Sequence, residues 1–318
     1  MKKFLLVPLI SVISLLSCSK TNNVIEDKLF CFDTLVNVKL YEGNENNLTD
    51  IKNIVSDIDK LTDNYLNRGI NNVYTLNHTN YDTEVDKSLY DLIKASVDFN
   101  KDYSSYFNPL CGSLAKAWKE SLKNGEVLSN EVINEELIKM NNSSIVLLEN
   151  NTIRRNGSSE IDLGGVAKGY ALDKVLEYFQ TQNLKHYLID GGNSSILLGE
   201  KDSEDGLFTV GIKNIPNGYL KLKNCFVSTS SISTQGVTIN GLTYSHIVNP
   251  SDGGALNKHE AVVVVGNNGW LGDALSTSMM LMTLEEIKTM EEKAAVQVIV
   301  IDNGQISYKN PGIEVFFH

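Results

Sequence analysis

Asp162-Leu163-Gly164-Gly165-Val166-Ala167-Lys168-Gly169-Tyr170-Ala171-Leu172-Asp173 puts a glycine pair, a lysine and two flanking carboxylates into one short stretch. The segment before it, residues 159–163, predicts a strand, and residues 167–181 predict a helix. A glycine pair at such a corner lets the backbone come close to a bulky anion, and free N–H groups at the helix N-terminus point at it. Lys168 adds a mobile positive charge one turn in. The competing reading is a tight strand–helix corner that uses glycine for packing alone. The glycine order matches neither GxGxxG nor the P-loop.

Two further groups have the chemistry to serve such an anion. In Gly272-Asp273-Ala274-Leu275-Ser276-Thr277, Asp273 and Thr277 are four apart on a predicted helix (residues 271–282), hence on one face. A carboxylate and a hydroxyl are hard oxygen donors of the kind Mg²⁺ takes, its shell completed by phosphate and water. The same residues also suit a structural role, since a first-turn Asp favours the helix dipole and a mid-helix Thr often bonds the preceding turn. In Tyr244-Ser245-His246-Ile247-Val248-Asn249-Pro250, His246 stands between an apolar segment and a turn. An imidazole there is either a general base or a structural histidine.

These groups need a scaffold, and the apolar periodicity supplies one. Residues 48–61 and 86–103 predict amphipathic helices, and residues 29–41 a strand. Residues 64–80 read as a loop, residues 106–110 as a turn around Pro109, and the charged stretch to about Met140 as locally helical. Strands are predicted at 144–148, 152–154, 187–190, 195–198, 208–212, 221–228, 236–239, 261–265, 296–301 and 305–308. The last two flank Asp302-Asn303-Gly304, which favours a type I′ hairpin. Strands and helices mix without a regular βαβ repeat, so the expected class is α+β. The net charge of -11 argues against a nucleic-acid surface. An acidic chain that holds a polyanion needs a metal ion or aimed backbone N–H groups.

The N-terminus fixes the expected compartment. Met1-Lys2-Lys3 precedes a mostly apolar run, Phe4 to Leu16, too short to span a bilayer but suited to a secretory signal. Leu15-Leu16-Ser17-Cys18 resembles a bacterial lipobox, which implies a leader over residues 1–17 and a lipidated Cys18 anchoring the chain outside the cytoplasmic membrane. An ordinary cleavable signal is the alternative. Residues 18–28 then form a polar tether and 29–318 the folded domain. Cys31, Cys111 and Cys225 include no CxxC pair and read as buried, inert thiols.

Taken together and in order, these segments resemble the ApbE family of FAD:protein FMN transferases. Phe32-Asp33-Thr34 is similar to the family's MGT strand and Tyr106-Phe107-Asn108-Pro109 to its AFDP turn. Asp162–Asp173 is close to D-L-G-G-I-A-K-G-Y-A-x-D. His246–Pro250, with Asp273 and Thr277, resembles H-I-I-D-P followed by A-D-A-x-x-T. The resemblance implies a T-fold-like domain with FAD in a cleft as substrate, Mg²⁺ on its pyrophosphate, and FMN passed to a Thr or Ser hydroxyl of an exported acceptor flavoprotein, with release of AMP. It implies metal ligation by Asp273, Thr277 and the backbone oxygen of Gly165. It also implies FAD contacts from Phe32, Tyr106, Phe107, Asn108, Asp162, Lys168 and Ile247, with Tyr65 as a ring-stacking partner and His246 as base. Asn249 and Asn108 stand where the family carries Asp, and residues 228–235 keep only the start of its serine–glycine loop. Each Asp→Asn change removes a charge and keeps an acceptor, so altered hydrogen bonding is expected rather than a lost metal site. The alternatives are an FAD pyrophosphatase or flavin-binding lipoprotein of the same family, or a non-catalytic solute-binding lipoprotein.

Overall fold

The computed structural model describes residues 24–233 and 235–318. The leader over residues 1–17 and Cys18 lie outside the described residues. In chain order the elements are β1 (Ile25–Cys31), β2 (Thr34–Leu40), α1 (Glu45–Thr62), α2 (Val73–Asn77), β3 (Thr83–Glu84), α3 (Lys87–Asp102), α4 (Gly112–Lys123) and α5 (Asn130–Asn141). Then come β4 (Ser144–Leu148), β5 (Thr152–Asn156), α6 (Ala167–Gln182), β6 (Tyr187–Gly191), β7 (Ser195–Leu198), β8 (Phe208–Gly211), β9 (Gly218–Leu222) and β10 (Cys225–Ser231). The chain ends with β11 (Val237–Ile239), β12 (Leu242–Tyr244), β13 (Ala261–Gly266), α7 (Gly269–Met279), α8 (Leu284–Ala294), β14 (Gln297–Asp302), β15 (Gln305–Lys309) and β16 (Phe316–Phe317).

An eight-stranded sheet in the order β1-β2-β6-β7-β10-β13-β14-β15 organises these elements, and every recorded pairing is antiparallel. This is the α+β class expected. Because a strand's side chains alternate, β13 serves two cores. Val262 and Val264 pack with helices α3, α7 and α8, whereas Ala261, Val263 and Val265 pack with Phe208, Val210 and Leu220 of the small β8–β9–β16 sheet. Burial on both faces explains the uninterrupted apolar run of β13. Towards the β1 edge, Val36, Val38 and Ile189 of the same sheet pack under α1 and α6 through Ile51, Val55, Val175 and Phe179.

Helices α6 and α7 lie backbone to backbone. A Cβ on Gly169 would overlap the Gly269 carbonyl, and a Cβ on Gly269 would overlap the Gly169 carbonyl. Each helix also satisfies the other's N-terminus. Asp173 of α6 accepts from Gly269 N at 2.7 Å and Trp270 N at 2.8 Å, and Asp273 of α7 accepts from Gly169 N at 2.7 Å. These amides belong to the groups a helix start leaves unpaired. Overpacking a tight core commonly costs 1–3 kcal/mol, so Gly169→Ala is expected to lower unfolding stability by about 3 kcal/mol, read from the denaturant midpoint at unchanged slope.

Several boundaries differ from the sequence reading. The strand over residues 29–41 is a hairpin, β1–β2, and β1 begins at Ile25, inside the stretch read as tether. The reversal at Phe32-Asp33 carries no glycine or asparagine and has Asp33 as its one turn-forming residue; both residues have positive φ, 53° and 56°. Residues 221–228 hold the end of β9 and the start of β10, which belong to different sheets and are joined through Asn224, with φ 51°. Residues 159–163 form no strand and lie outside any ladder. Their polar groups pair instead with Asn77, Ser113, Ser143, Leu110 and Pro109. The loop at 64–80 contains α2, and α8, β12 and β16 are additions. The I′ hairpin at Asn303-Gly304 is present, with φ 52° and 67°. Cys31, Cys111 and Cys225 are free, and burial pushes their thiols up to about 11, 12 and 12.

Candidate active site

The glycine corner, the Tyr106 turn and α7 meet at Gly165. A Cβ built on it would stand 3.5 Å from Phe107 Cε2 and 3.7 Å from Thr277 Oγ1. Phe107 is held there by an edge-on contact with Phe99, at 5.6 Å between ring centroids. Asp162 turns back to accept from Gly164 N at 2.7 Å, which fixes the corner. Burial raises its carboxyl above the usual range, and the Gly164 amide and the Lys119 ammonium oppose that.

One turn before Thr277, Asp273 is buried under α7 against a row of serines. Ser195 and Ser228 are directly opposed residues of β7 and β10, so they share the sheet face that meets α7. Asp273 Oδ1 accepts from Ser195 Oγ and Ser228 Oγ, each at 2.8 Å. Asp273 Oδ2 accepts from Gly169 N at 2.7 Å and Ser195 Oγ at 3.1 Å. Burial pushes this carboxyl up, and Lys168 and these donors oppose that. Ser230 Oγ lies 3.0 Å from Ser276 Oγ and 3.4 Å from Thr277 Oγ1.

His246 stands on a loop pinned at both sides. Ser245 N donates to Ala255 O at 2.9 Å, Ile247 N donates to Ser245 Oγ at 2.9 Å, and Ser245 Oγ bonds Asn257 Oδ1. Solvent reaches the histidine, although protein crowds it on several sides. That crowding, then Lys168 and Lys119, push the imidazole down to about 4. It is neutral at pH 7 and able to accept a proton. Lys168 acts on both His246 and Asp273, and Lys119 on both His246 and Asp162, so these five groups share one electrostatic environment.

Lys119 was not among the sequence candidates. It lies on α4, and its Nζ donates to Tyr65 Oη at 3.3 Å and sits 4.8 Å from that ring's centroid. No sequence signal distinguishes it from neighbouring surface lysines. Replacing Lys119 by Met is expected to raise the His246 pKa and shift the acid limb of activity to higher pH. Lys168→Met should shift it further, because Lys168 is the stronger influence. The pH profile of kcat/KM reads both.

The remaining candidates take varied positions. Phe32 sits in the left-handed region, unusual for an aromatic residue, and Asp59 Oδ1 secures it by accepting its N–H at 2.6 Å. Its ring packs between the two helix-side cores. Tyr106 Oη donates to Glu286 of α8 at 3.2 Å. Ile247 is buried. Asn108 Oδ1 accepts from Leu110 N at 2.9 Å, and Asn249 Oδ1 from Ser251 N at 3.0 Å, so both asparagines shape their own turns. Asp173 closes the glycine motif in the sequence, and its grip on α7 is a tertiary contact.

Asp273, Thr277 and the Gly165 backbone offer one carboxylate, one hydroxyl and one carbonyl, all hard oxygens. That donor set fits a Mg²⁺-like cation whose shell is completed by substrate and water. Among the described residues no group of three or more His, Cys, Asp or Glu is placed to hold a metal ion.

The antiparallel α+β scaffold thus sets the glycine corner against the hydroxyl-bearing face of α7. The chain belongs to the ApbE family, whose profile matches residues 32–300. It is 25% identical over 224 residues to the FAD:protein FMN transferase of Treponema pallidum, covering 64% of this chain and 62% of that protein. A protein of the same name from Klebsiella pneumoniae is 25% identical over 232 residues, covering 70% of this chain and 71% of its own. These relatives are transferases by name. Among solved structures, the ApbE protein of Thermotoga maritima superposes with TM-score 0.75 at 23% identity, covering 92% of this chain and 96% of that one. The flavin transferase ApbE of Vibrio cholerae gives 0.73 at 19% identity, with the same coverage. The two likenesses bear out the expected fold.

Proposed function

We propose that this chain transfers FMN from FAD to a threonine or serine hydroxyl of an exported acceptor flavoprotein, in a Mg²⁺-dependent reaction that releases AMP. The observation that carries the reading is the meeting of Gly165 and Thr277 one helical turn from Asp273; the amides of Gly164, Val166, Ala167 and Gly169 already pair within the protein, so the corner offers a phosphate fewer free N–H groups than its sequence suggests. The names of the relatives support the choice of FAD as substrate.

Asp273, Thr277 and the Gly165 carbonyl would hold the cation, which supplies charge neutralisation on the pyrophosphate when bound. The glycine corner and Lys168 hold the diphosphate in line. Phe32, Phe107, Ile247 and Tyr65 supply apolar and stacking surface for the ring systems. The acceptor oxygen attacks the FMN phosphorus, the bond from that phosphorus to the bridging oxygen breaks, and AMP departs with that oxygen. His246, neutral at pH 7, takes the hydroxyl proton. An acidic chain can thus manage a polyanion without a basic surface.

Incubating the purified chain with FAD, Mg²⁺ and a candidate acceptor tests the reading. Acceptor that stays fluorescent after denaturing electrophoresis supports transfer. Free FMN and AMP without labelling would turn the assignment to hydrolysis, and unchanged FAD would end both.

We also propose that Cys18 carries the lipid anchor that holds the enzyme outside the cytoplasmic membrane. Among the described residues no helix is long and apolar enough to cross a membrane. A Cys18→Ala chain is expected to lose lipid label and leave the membrane fraction; retention of both in that variant contradicts the anchor.

A further inference from the structure

We propose that Asn77 is a positioning residue for the glycine corner, its side chain standing in for the strand partner that residues 159–163 lack. The catalytic part of this rests on the reading above, in which that corner holds the diphosphate and the cation.

Ile161 directly precedes Asp162 and is fully buried, so water cannot serve its backbone. Asn77 Oδ1 accepts from Ile161 N at 2.7 Å, and Asn77 Nδ2 donates to Ile161 O at 2.9 Å. One side-chain amide thus makes both bonds that a paired strand residue would make. The next residue continues the hold, with Asp162 N donating to Pro109 O at 2.9 Å and Asp162 Oδ1 accepting from Gly164 N at 2.7 Å. Gly165 then faces Phe107 and Thr277. A shift at Ile161 is therefore carried within four residues to the backbone beside Thr277.

Asn77 is itself firmly mounted, at the end of α2. Asn72 ties the start of α2 to α1 and the loop after it, donating to Lys60 O at 3.1 Å and Leu66 O at 2.9 Å while its Oδ1 accepts from Thr75 N at 3.1 Å. At the other end the buried Arg155 donates from Nε to Leu76 O and from Nη2 to Asn77 O, each at 3.1 Å. A cation suits the last carbonyls of a helix. The same guanidinium donates through Nη1 to Gly157 O at 2.6 Å and Ser159 O at 3.1 Å. One planar group therefore fixes both Asn77 and the segment that Asn77 holds.

The rival account is that Asn77 only satisfies two buried backbone groups and contributes to overall stability. Local hydrogen exchange separates the two, because the amides of Gly164, Val166 and Ala167 are bonded inside the corner. The full chain is compared as wild type, Asn77→Ala and Leu220→Ala. Leu220 lies in the core under the β8–β9–β16 sheet, so its variant loses stability far from the corner. Native-state exchange of those three amides is expected to be at least tenfold faster in Asn77→Ala and near the wild-type rate in Leu220→Ala. At saturating FAD and Mg²⁺, kcat for FMN transfer should fall about 10²-fold in Asn77→Ala, the scale of a misplacement of about 1 Å, and stay within twofold in Leu220→Ala. Should Asn77→Ala fail to fold, Asn77→Asp at pH 8 keeps the acceptor for Ile161 N, withdraws the donor to Ile161 O and carries the same expectations. Unchanged exchange at the corner overturns the proposal, as does faster exchange with kcat within twofold of wild type. If neither variant folds, Asn77 serves the whole fold and the narrower role is overturned. If the wild type labels no acceptor, the transferase reading falls, and the exchange rates still decide whether Asn77 holds the corner.

Discussion

Asp273→Asn is expected to slow FMN transfer by about 10³-fold, a loss of ~4 kcal/mol in transition-state stabilisation. Asp273 is the one carboxylate in the donor set with Thr277 and Gly165, and a bound metal's Lewis-acid effect amounts to several kcal/mol. Asparagine is not a neutral replacement here. Asp273 accepts from Gly169 N, Ser195 and Ser228, and an amide nitrogen turned towards either pair of donors meets hydrogens where it needs acceptors. Some stability is therefore lost as well, about 2 kcal/mol for a buried donor left unpaired. Covalent flavin incorporation measured against Mg²⁺ concentration, beside a denaturation curve, separates the two effects. A folded variant that keeps its rate within tenfold, with undiminished Mg²⁺ dependence, would remove Asp273 from the cation site.

His246→Ala should cost 10²–10⁴-fold, taken as about 10³, the usual range for a positioned acid–base group. The sign of the pH effect follows from the depressed pKa. An imidazole at about 4 is almost wholly neutral by pH 6, so the wild-type enzyme keeps its base throughout the neutral range. Activity falls only as pH drops through that value and the ring becomes cationic. In the alanine variant that acid limb should vanish, and added imidazole should restore part of the rate. Transfer at the wild-type rate without His246 would sink the base assignment.

Both predictions concern residues that were legible in the sequence, for a shared reason. Asp273 and Thr277 obey helical spacing, and Gly164-Gly165 declare a corner, so each local signal survives without knowledge of its neighbours. Lys119 and Asp173 lacked such a signal. A lysine on an amphipathic helix reads as solvated until the His246 loop is placed beside it. Asp173 reads as one more helix-surface carboxylate until α7 is packed across α6. There burial pushes its carboxyl up to about 7, against the pull of the Gly269 and Trp270 amides. The β1–β2 hairpin was missed because Phe32 holds a conformation its residue type does not advertise. Asp59, on a distant helix, is what secures it.

From the chain alone come the α+β class, the amphipathic helices, the apolar β13 and the three motifs that carry chemistry. All depend on residue type and short-range spacing, which a linear sequence records in full. Only the packed molecule decides that Ser195 and Ser228, far apart along the chain, face the same carboxylate. Only there does Gly169 prove to be needed less for backbone freedom than for contact with Gly269. Strand register and helix crossing create those neighbours, and both are settled by burying apolar surface across the whole domain.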